Sequence, residues 1–266
     1  MGATPQWWLE SARRLETAGY RGVWSWDHFV GGGDKTVPVV EQWTMLAAAA
    51  GATTSVHIGT FITNVMNRHP AVLARMASTL QLASGGRFTL GMGIGGNPAE
   101  HRAYGIDFPD VPERADRLEE AIEVIRALWS GGPVTRESRF YPLAEAHAFP
   151  VPDPAPRILV GAASARGLRI AARLGDGWAA EIDDFERLLP AYDEALAGEG
   201  KSRADAWIAL GFGSGKSGHD ALADSPWIEA PAETWARYAA LGTDEVIVPA
   251  RTPNDVDALV RAADRW

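Results

Sequence analysis

The sequence contains no cysteine, which excludes disulfide bonds, thiolate nucleophiles and thiolate metal sites. It also has no uninterrupted apolar stretch close to the roughly 18 residues that a membrane-spanning helix needs. The N-terminus lacks the basic region and apolar segment that direct secretion. We therefore expect a cytoplasmic protein that does not associate with a membrane.

Basic residues are not in excess either, because 34 acidic side chains outnumber 25 basic ones and the net charge is −9. An acidic chain without a basic run is a poor partner for nucleic acid or for anionic lipid. No group of His, Asp and Glu has the spacing of a metal site, and no Gly-x-Ser-x-Gly motif is present. A barrel hydrolase or isomerase would therefore lack both a nucleophile and a metal.

What the sequence does contain is an alternation of strand and helix patterns along the whole chain. Apolar periodicity predicts helices over 5–18, 41–51, 70–82, 112–129, 164–174, 184–197, 231–241 and 254–263, with a further helix starting at Asn97. Short apolar runs predict strands over 22–26, 56–62, 88–92, 157–160, 177–180, 207–212 and 245–248. Repeated units of this kind imply parallel strands joined by right-handed crossovers.

The predicted fold class is therefore α/β, a TIM (β/α)8-type barrel that forms one domain over residues 1–266. Only seven strands are counted, and because the chain opens on a helix, the strand that is missing or atypical is the first. An open sheet is the alternative. Residues 131–157 interrupt the alternation with five prolines between Pro142 and Pro156, which predicts an extended excursion or hairpin over the barrel.

In such a barrel the active site forms at the carboxyl ends of the strands. Asp27 and His28 follow the first predicted strand. An imidazole exchanges protons near neutral pH, and an adjacent carboxylate can hold the loop, although a loop pair without a catalytic role is the alternative. Thr60 and Asn64, after the next strand, can hydrogen-bond a heterocycle, whereas His69 can simply belong to the N-cap region of a helix.

Glycines at 91, 93, 95 and 96 line the end of the third strand. They are a weak sign of a dinucleotide fingerprint, because the acidic residue expected about 20 residues later is lacking. Glycine nevertheless lets a flat ligand approach the backbone closely. Gly161 to Ser164 precede a helix, where small residues expose N–H groups that favour an anion, and Ser164 can cap that helix or bind phosphate.

These features form an ordered series of motifs: Asp27-His28-Phe29, Glu41-x-Trp43, Gly59-Thr60, Arg68-His69-Pro70, Ser84-Gly85-Gly86-Arg87, Gly91-x-Gly93-x-Gly95, Glu100, Tyr104-Gly105, Arg114, Leu118-Glu119-Glu120, Leu128-Trp129 and Asp176-Gly177-Trp178. As a series they resemble the bacterial luciferase-like oxidoreductase family. The resemblance runs from about residue 5 to residue 182 and continues more weakly to residue 266.

The resemblance implies a TIM barrel that binds FMN or the deazaflavin coenzyme F420. Members with reduced FMN are monooxygenases that activate dioxygen, and deazaflavin members transfer hydride; the Asp-His pair and the glycine spacing are more similar to the deazaflavin branch. By this resemblance His28 is the catalytic residue that handles a proton near the ring, and Phe61-Ile62 matches a frequent non-prolyl cis peptide behind it. The residues expected to bind the cofactor are Asp27, Thr60, Phe61, Ile62, Asn64, Gly93, Gly95, Gly161, Ala162, Ala163 and Ser164.

One position departs from the family pattern in a way that bears on function. Gly96 stands where sugar-phosphate dehydrogenases of the family place a catalytic Glu, so that activity is not expected. We expect the chain to be an oxidoreductase that acts on a small organic substrate. We also expect a homodimer, because family members commonly dimerise. The alternative is a non-catalytic relative or partner subunit that has lost cofactor binding.

Overall fold

The computed structural model of the chain describes residues 4–31, 35–212, 222 and 225–266. In these ranges the helices are α1 Pro5–Thr17, α2 Gln42–Ala52, α3 Pro70–Ala83, α4 Pro98–Tyr104, α5 Val111–Leu128, α6 Ala165–Leu174, α7 Ile182–Gly198, α8 Pro226–Glu229, α9 Pro231–Ala240 and α10 Pro253–Ala262. The strands are β1 Gly22–Ser25, β2 His57–Thr60, β3 Thr63–Asn64, β4 Phe88–Gly93, β5 Val134–Arg136, β6 Leu143–Ala146, β7 Arg157–Gly161, β8 Gly177–Glu181, β9 Trp207–Gly211 and β10 Glu245–Ile247. No helix among the described residues is long and apolar enough to span a membrane.

The main sheet is parallel and nearly closed into a barrel, in the order β1-β2-β4-β7-β8-β9-β10, with β3 paired to β4. This confirms the predicted TIM-type fold. In the described part of the chain no strand lies between β1 and β10, which are the two ends of the order. Side chains cross this seam instead, because Nε1 of Trp24 donates a hydrogen bond to Oε1 of Glu245 over 3.0 Å. In the described residues the placement of the first strand is therefore atypical, as predicted.

Two short elements and one hairpin complete the pattern. No pattern in the sequence predicts β3 or α8, since two and four residues are too few to show a period. Within the proline-rich segment, β5 and β6 pair as an antiparallel hairpin. The hairpin is held to α5, where Oε2 of Glu120 accepts a hydrogen bond of 2.8 Å from the Ser138 hydroxyl.

Large side chains inside the barrel pack where neighbouring strands carry glycine. A Cβ atom added to Gly59 would lie 2.1 Å from Cε3 of Trp24, and one added to Gly211 would lie 2.4 Å from Cε1 of Phe61. Such pairing of large with small residues fills the interior at the density of a protein core. As a result, Phe61 is fixed at the carboxyl end of the strands, where the sequence analysis expects the site.

Helix ends follow local chemistry closely. Nδ1 of His69 accepts a hydrogen bond from the N–H of Ala71 at 3.2 Å, so the N-cap interpretation of His69 is confirmed. At the other end of α3, Gly85 and Gly86 have φ angles of 66° and 88°, values that residues with a side chain rarely adopt. The Ser-Gly-Gly-Arg motif is therefore a helix stop on the face of the barrel opposite the site.

Candidate active site

Asp27 joins the loop after β1 to the segment after β3. Its Oδ2 atom accepts hydrogen bonds from the N–H of Asn64 at 3.0 Å and from Nη1 of Arg68 at 2.7 Å. Arg68 also contacts Oε1 of Glu41 at 2.7 Å. Burial disfavours the charge of Arg68, but its hydrogen bonds and ion pairs with Asp27 and Glu41 outweigh burial and raise its pKa. Asp27 therefore holds this loop in place, as the sequence analysis expects.

His28 lies at the mouth of the barrel with its ring partly open to solvent. Its Nδ1 atom is 2.9 Å from Oε2 of Glu100, and 37% of the His28 side chain is exposed against 2% of the Glu100 side chain. The ring of Trp26 meets the imidazole edge-on, with centroids 5.0 Å apart. The imidazole is thus oriented from two sides and remains reachable from the mouth.

Glu100 lies on α4, and its carboxylate accepts hydrogen bonds from the loop after β1. Its Oε1 atom accepts the backbone N–H of Phe29, and that of Val30 at 3.0 Å. Burial raises the pKa of Glu100, but the hydrogen bonds from His28, Val30 and Phe29 outweigh it and leave the pKa below its ordinary value. The carboxylate is therefore ionised at neutral pH.

Glu100 is absent from the site residues expected from the sequence, although it belongs to the motif series. Its place in α4 is set by Asn97, whose Oδ1 atom caps the helix through the N–H of Glu100 at 3.2 Å. The pattern Asn-Pro-x-Glu predicts the cap, and in a capping box the Glu side chain would turn back to its own helix. Only the packing of α4 against the loop after β1 shows that it turns to His28 instead.

A second histidine, His101, is buried and joins the loops after β3 and β4. Nδ1 of His101 lies 2.9 Å from the Asn97 carbonyl oxygen, and Nε2 lies 2.9 Å from Nδ2 of Asn64. A carbonyl only accepts, so Nδ1 carries a proton, and Nε2 also lies 3.1 Å from Oδ1 of Asn67. Asn64 is buried, with 7% of its surface exposed, and its side-chain amide is hydrogen-bonded to protein atoms.

Arg114 of α5 fixes the glycine loop after β4. Its Nη1 atom donates to the carbonyl oxygens of Ile94 at 2.9 Å and Gly95 at 2.7 Å. Gly95 has a φ angle of +74°, and a Cβ atom at this position would lie 2.6 Å from Nδ2 of Asn64. Gly95 is therefore required by the turn and by the contact with Asn64.

The peptide bond between Phe61 and Ile62 is cis, as the family resemblance implies. Cδ1 of Ile62 lies 2.3 Å from the position of a Cβ on Gly93 and 2.2 Å from that of a Cβ on Gly161. These two glycines thus make room for Ile62. Phe61 and Ile62 are both half-buried, so together they form an apolar floor beneath the mouth.

Thr60 lies below this floor. It has no exposed surface, and its hydroxyl donates to the carbonyl oxygen of Gly91 and accepts the N–H of Gly91, both at 2.8 Å. The structure therefore does not bring Thr60 to the mouth with the other expected residues.

The amino end of α6 forms a further part of the mouth. The Ser164 hydroxyl accepts the N–H of Gly167 at 3.2 Å, which confirms the cap, and Nε1 of Trp178 donates to the Ala162 carbonyl oxygen at 2.9 Å. Ala163 and Ser164 are exposed. Because the first N–H groups of a helix have no partner within it, this end can receive an anion without obstruction by a large side chain. Among the described residues, no cluster of His, Asp and Glu can hold a metal ion.

Comparison with known proteins gives a consistent result. The family model of luciferase-like monooxygenases matches residues 2–253. The chain is 34% identical over 193 residues to the F420-dependent hydroxymycolic acid dehydrogenase of Mycobacterium tuberculosis, covering 71% of this chain and 53% of that protein. It is 32% identical to an F420-dependent glucose-6-phosphate dehydrogenase of Beutenbergia cavernae, covering 94% of this chain and 76% of that protein. The chain thus spans about half the length of the first of these relatives.

Among solved structures, an F420-dependent secondary alcohol dehydrogenase in complex with an F420-acetone adduct has a TM-score of 0.85 to this chain. The alignment covers 100% of this chain and 95% of that one at 22% sequence identity. At this identity the similarity establishes the fold.

Proposed function

This chain belongs to the luciferase-like monooxygenase family, and from that premise we propose that it is an oxidoreductase that uses coenzyme F420 to transfer hydride to or from a small organic substrate. The observation that carries the proposal is the partly exposed imidazole of His28, which Glu100 holds in the loop after β1, while Phe61 and Ile62 follow the neighbouring strand β2. The two relatives compared by sequence are F420-dependent enzymes, which supports the choice of coenzyme.

The residues at the mouth fit the ring of a flavin or deazaflavin. Phe61 and Ile62 offer a half-buried apolar surface, which suits a flat heterocycle. Asp27 and Asn64 would contribute by holding the surrounding loops, and Gly93 and Gly95 by seating Ile62 and Asn64 rather than by touching the ring. Thr60 would act only through the backbone of β4.

The amino end of α6 fits the phosphate of the coenzyme. Ala162, Ala163 and Ser164 carry small side chains, and the unpaired N–H groups of the first turn favour a negative charge. Gly161 would contribute by leaving space for Ile62. The residues at the start of α6 would therefore hold the phosphate of the coenzyme.

His28 supplies the proton chemistry in this proposal. The bound coenzyme supplies the two-electron donor or acceptor. An alcohol that is converted to a carbonyl compound also releases its hydroxyl proton, and an imidazole at the mouth can accept it. In the opposite direction the same imidazole returns the proton to the carbonyl oxygen.

The glycine at position 96 favours a substrate whose conversion needs only one acid–base group, the imidazole of His28. A Cβ atom at this position would meet no heavy atom within 4 Å, so packing does not require a glycine here. We infer that the substrate is a simple alcohol or ketone rather than a sugar phosphate.

The proposal is tested by titrating the purified chain with F420 and with FMN while following cofactor fluorescence and thermal unfolding. We expect F420 to be quenched on binding and to stabilise the fold by about 2.7 kcal/mol at a hundredfold excess over Kd. Binding of FMN alone would favour the monooxygenase alternative. Binding of neither would favour the non-catalytic alternative and overturn the proposal.

A pair of variants tests the phosphate position. Ala163→Glu places a carboxylate beside the amino end of α6, and we expect F420 affinity to fall at least about tenfold through repulsion of the phosphate. Ala232→Glu makes the same change at the first turn of α9 and is the control. Equal affinity of the two variants would contradict the assignment.

A further inference from the structure

We infer that Glu100 is a positioning residue that fixes which nitrogen of His28 carries the proton, so that Nε2 is the atom that accepts the substrate proton. This inference rests on the proposed function for the direction of proton transfer. The proton position itself, however, is a property of the free protein and can be measured without coenzyme or substrate.

The two carboxylate oxygens of Glu100 contact different groups. Oε1 is taken by the backbone N–H groups of Phe29 and Val30, and Oε2 faces Nδ1 of His28 at 2.9 Å. An ionised carboxylate only accepts hydrogen bonds. The neutral imidazole must therefore carry its proton on Nδ1, which leaves Nε2 with a free lone pair.

The other side of the ring is available to a substrate. Of the residues that the structure describes, none forms a hydrogen bond with Nε2 of His28, and 37% of this side chain is exposed. The edge-on contact with Trp26 limits rotation of the imidazole. The ring is therefore held with one nitrogen committed to the protein and the other open to the mouth.

The support behind Glu100 is rigid. Asn97 caps α4 through the N–H of Glu100, and His101, the next residue along the helix, is anchored by the Asn97 carbonyl and the Asn64 amide. Only 2% of the Glu100 side chain is exposed. A carboxylate held this firmly defines both the orientation and the tautomer of its imidazole partner, as a buried carboxylate does in hydrolase triads.

This arrangement predicts an unusual outcome for Glu100→Gln. The amide oxygen must stay on the N–H groups of Phe29 and Val30, because an NH2 group there would face two donors. The NH2 group is then directed at Nδ1 of His28, which must become an acceptor. The substitution keeps the shape of the side chain and reverses the tautomer, so that Nε2 carries the proton and cannot accept another.

The experiment is NMR of the whole chain labelled with 15N-histidine, recorded at alkaline pH, with His28→Gln used to assign the signals. In the unmodified chain we expect Nδ1 of His28 to resonate as a protonated nitrogen and Nε2 as an unprotonated one. In Glu100→Gln we expect the two assignments to exchange. A mere loss of packing would broaden or average the signals without exchanging them.

Glu16→Gln is the matched control, because Oε1 of Glu16 also anchors a loop, through the N–H groups of Thr54 and Ser55 at 2.8 and 2.7 Å, and lies on α1. It should leave the His28 signals unchanged. A protonated Nε2 in the unmodified chain overturns the inference even if Glu100→Gln does not fold, and so does an unchanged tautomer in a folded Glu100→Gln. Failure to bind F420 overturns the proposed function instead, so the two failures are distinguishable.

Discussion

At the scale of single residues, two adjacent glycines have different reasons to be glycine. Gly95 has a φ angle of +74° and lies against the side chain of Asn64, whereas Gly96 has open space where a side chain would stand and no left-handed φ. The first is required by backbone geometry and packing. The second is free of both constraints, so neither the backbone nor the packing requires a glycine at position 96.

This difference predicts the stabilities of two matched variants. Gly95→Ala should lower the free energy of unfolding by about 1–3 kcal/mol, because it forces a left-handed residue against Asn64. Gly96→Ala should change it by no more than about 0.5–1 kcal/mol, and in the stabilising direction if it changes it at all. Urea denaturation followed by tryptophan fluorescence measures both, and an equal loss in the two variants would contradict this account.

At the scale of elements, one arginine ties three segments on the face opposite the site. Arg87, directly before β4, donates to the carbonyl oxygens of Ala50 at 3.0 Å and Thr53 at 3.1 Å, at the end of α2. It also donates to that of Val56 before β2 at 2.6 Å and to that of Ser84 after α3 at 2.7 Å. The planar guanidinium thus satisfies carbonyls that the ends of these helices leave unpaired.

Arg87→Lys should therefore not behave as a conservative substitution. An ammonium group has three donors and no planar fork, so some of these carbonyls lose their partner, and we expect a loss of about 2–3 kcal/mol in the free energy of unfolding. Arg75→Lys, on the exposed face of α3, is the control and should change it by less than about 0.5 kcal/mol. The prediction fails if the two variants unfold at the same urea concentration.

At the scale of the whole molecule, the barrel is closed between β1 and β10 by a titratable side chain. Burial raises the pKa of Glu245 to about 7. The hydrogen bond from Trp24 and the charges of Arg157 and Arg21 lower it in part, and the neighbouring Asp244 raises it. The closure of the seam is therefore sensitive to pH near neutrality.

The direction of the effect on stability follows from proton linkage. Between the ordinary value of 4.5 and about 7, the folded chain keeps the Glu245 proton while the unfolded chain has lost it. Since the folded state then binds more protons, the contribution of this group falls as the pH rises through this window, by at most about 3 kcal/mol.

Glu245→Gln removes this titration and keeps an oxygen for the Trp24 indole. We expect the variant and the unmodified chain to be similarly stable near pH 5, and the variant to be more stable at pH 8 by up to about 3 kcal/mol. Urea denaturation across this range measures the difference. A difference that is the same at both ends of the range would show that folding does not raise the pKa of Glu245.

The sequence by itself determined the features that depend on neighbours along the chain. The alternation of short apolar runs with amphipathic segments predicts a parallel barrel, and the caps at His69 and Asn97 are correct because capping involves only residues within the first turn. The family resemblance added the cis peptide at Phe61-Ile62. The caps and each apolar run are encoded within a few residues, whereas the cis peptide is expected only from the resemblance.

Only the tertiary structure decided the features that join distant segments. Glu100 reaches His28 across 72 positions of the sequence, Ile62 occupies the space beside Gly93 and Gly161, and Glu245 bridges the seam. These contacts depend on how the strands are ordered and how deeply each side chain is buried. Local patterns do not carry that information, because hydrophobic burial and the low polarity of the interior arise only when the whole barrel is assembled.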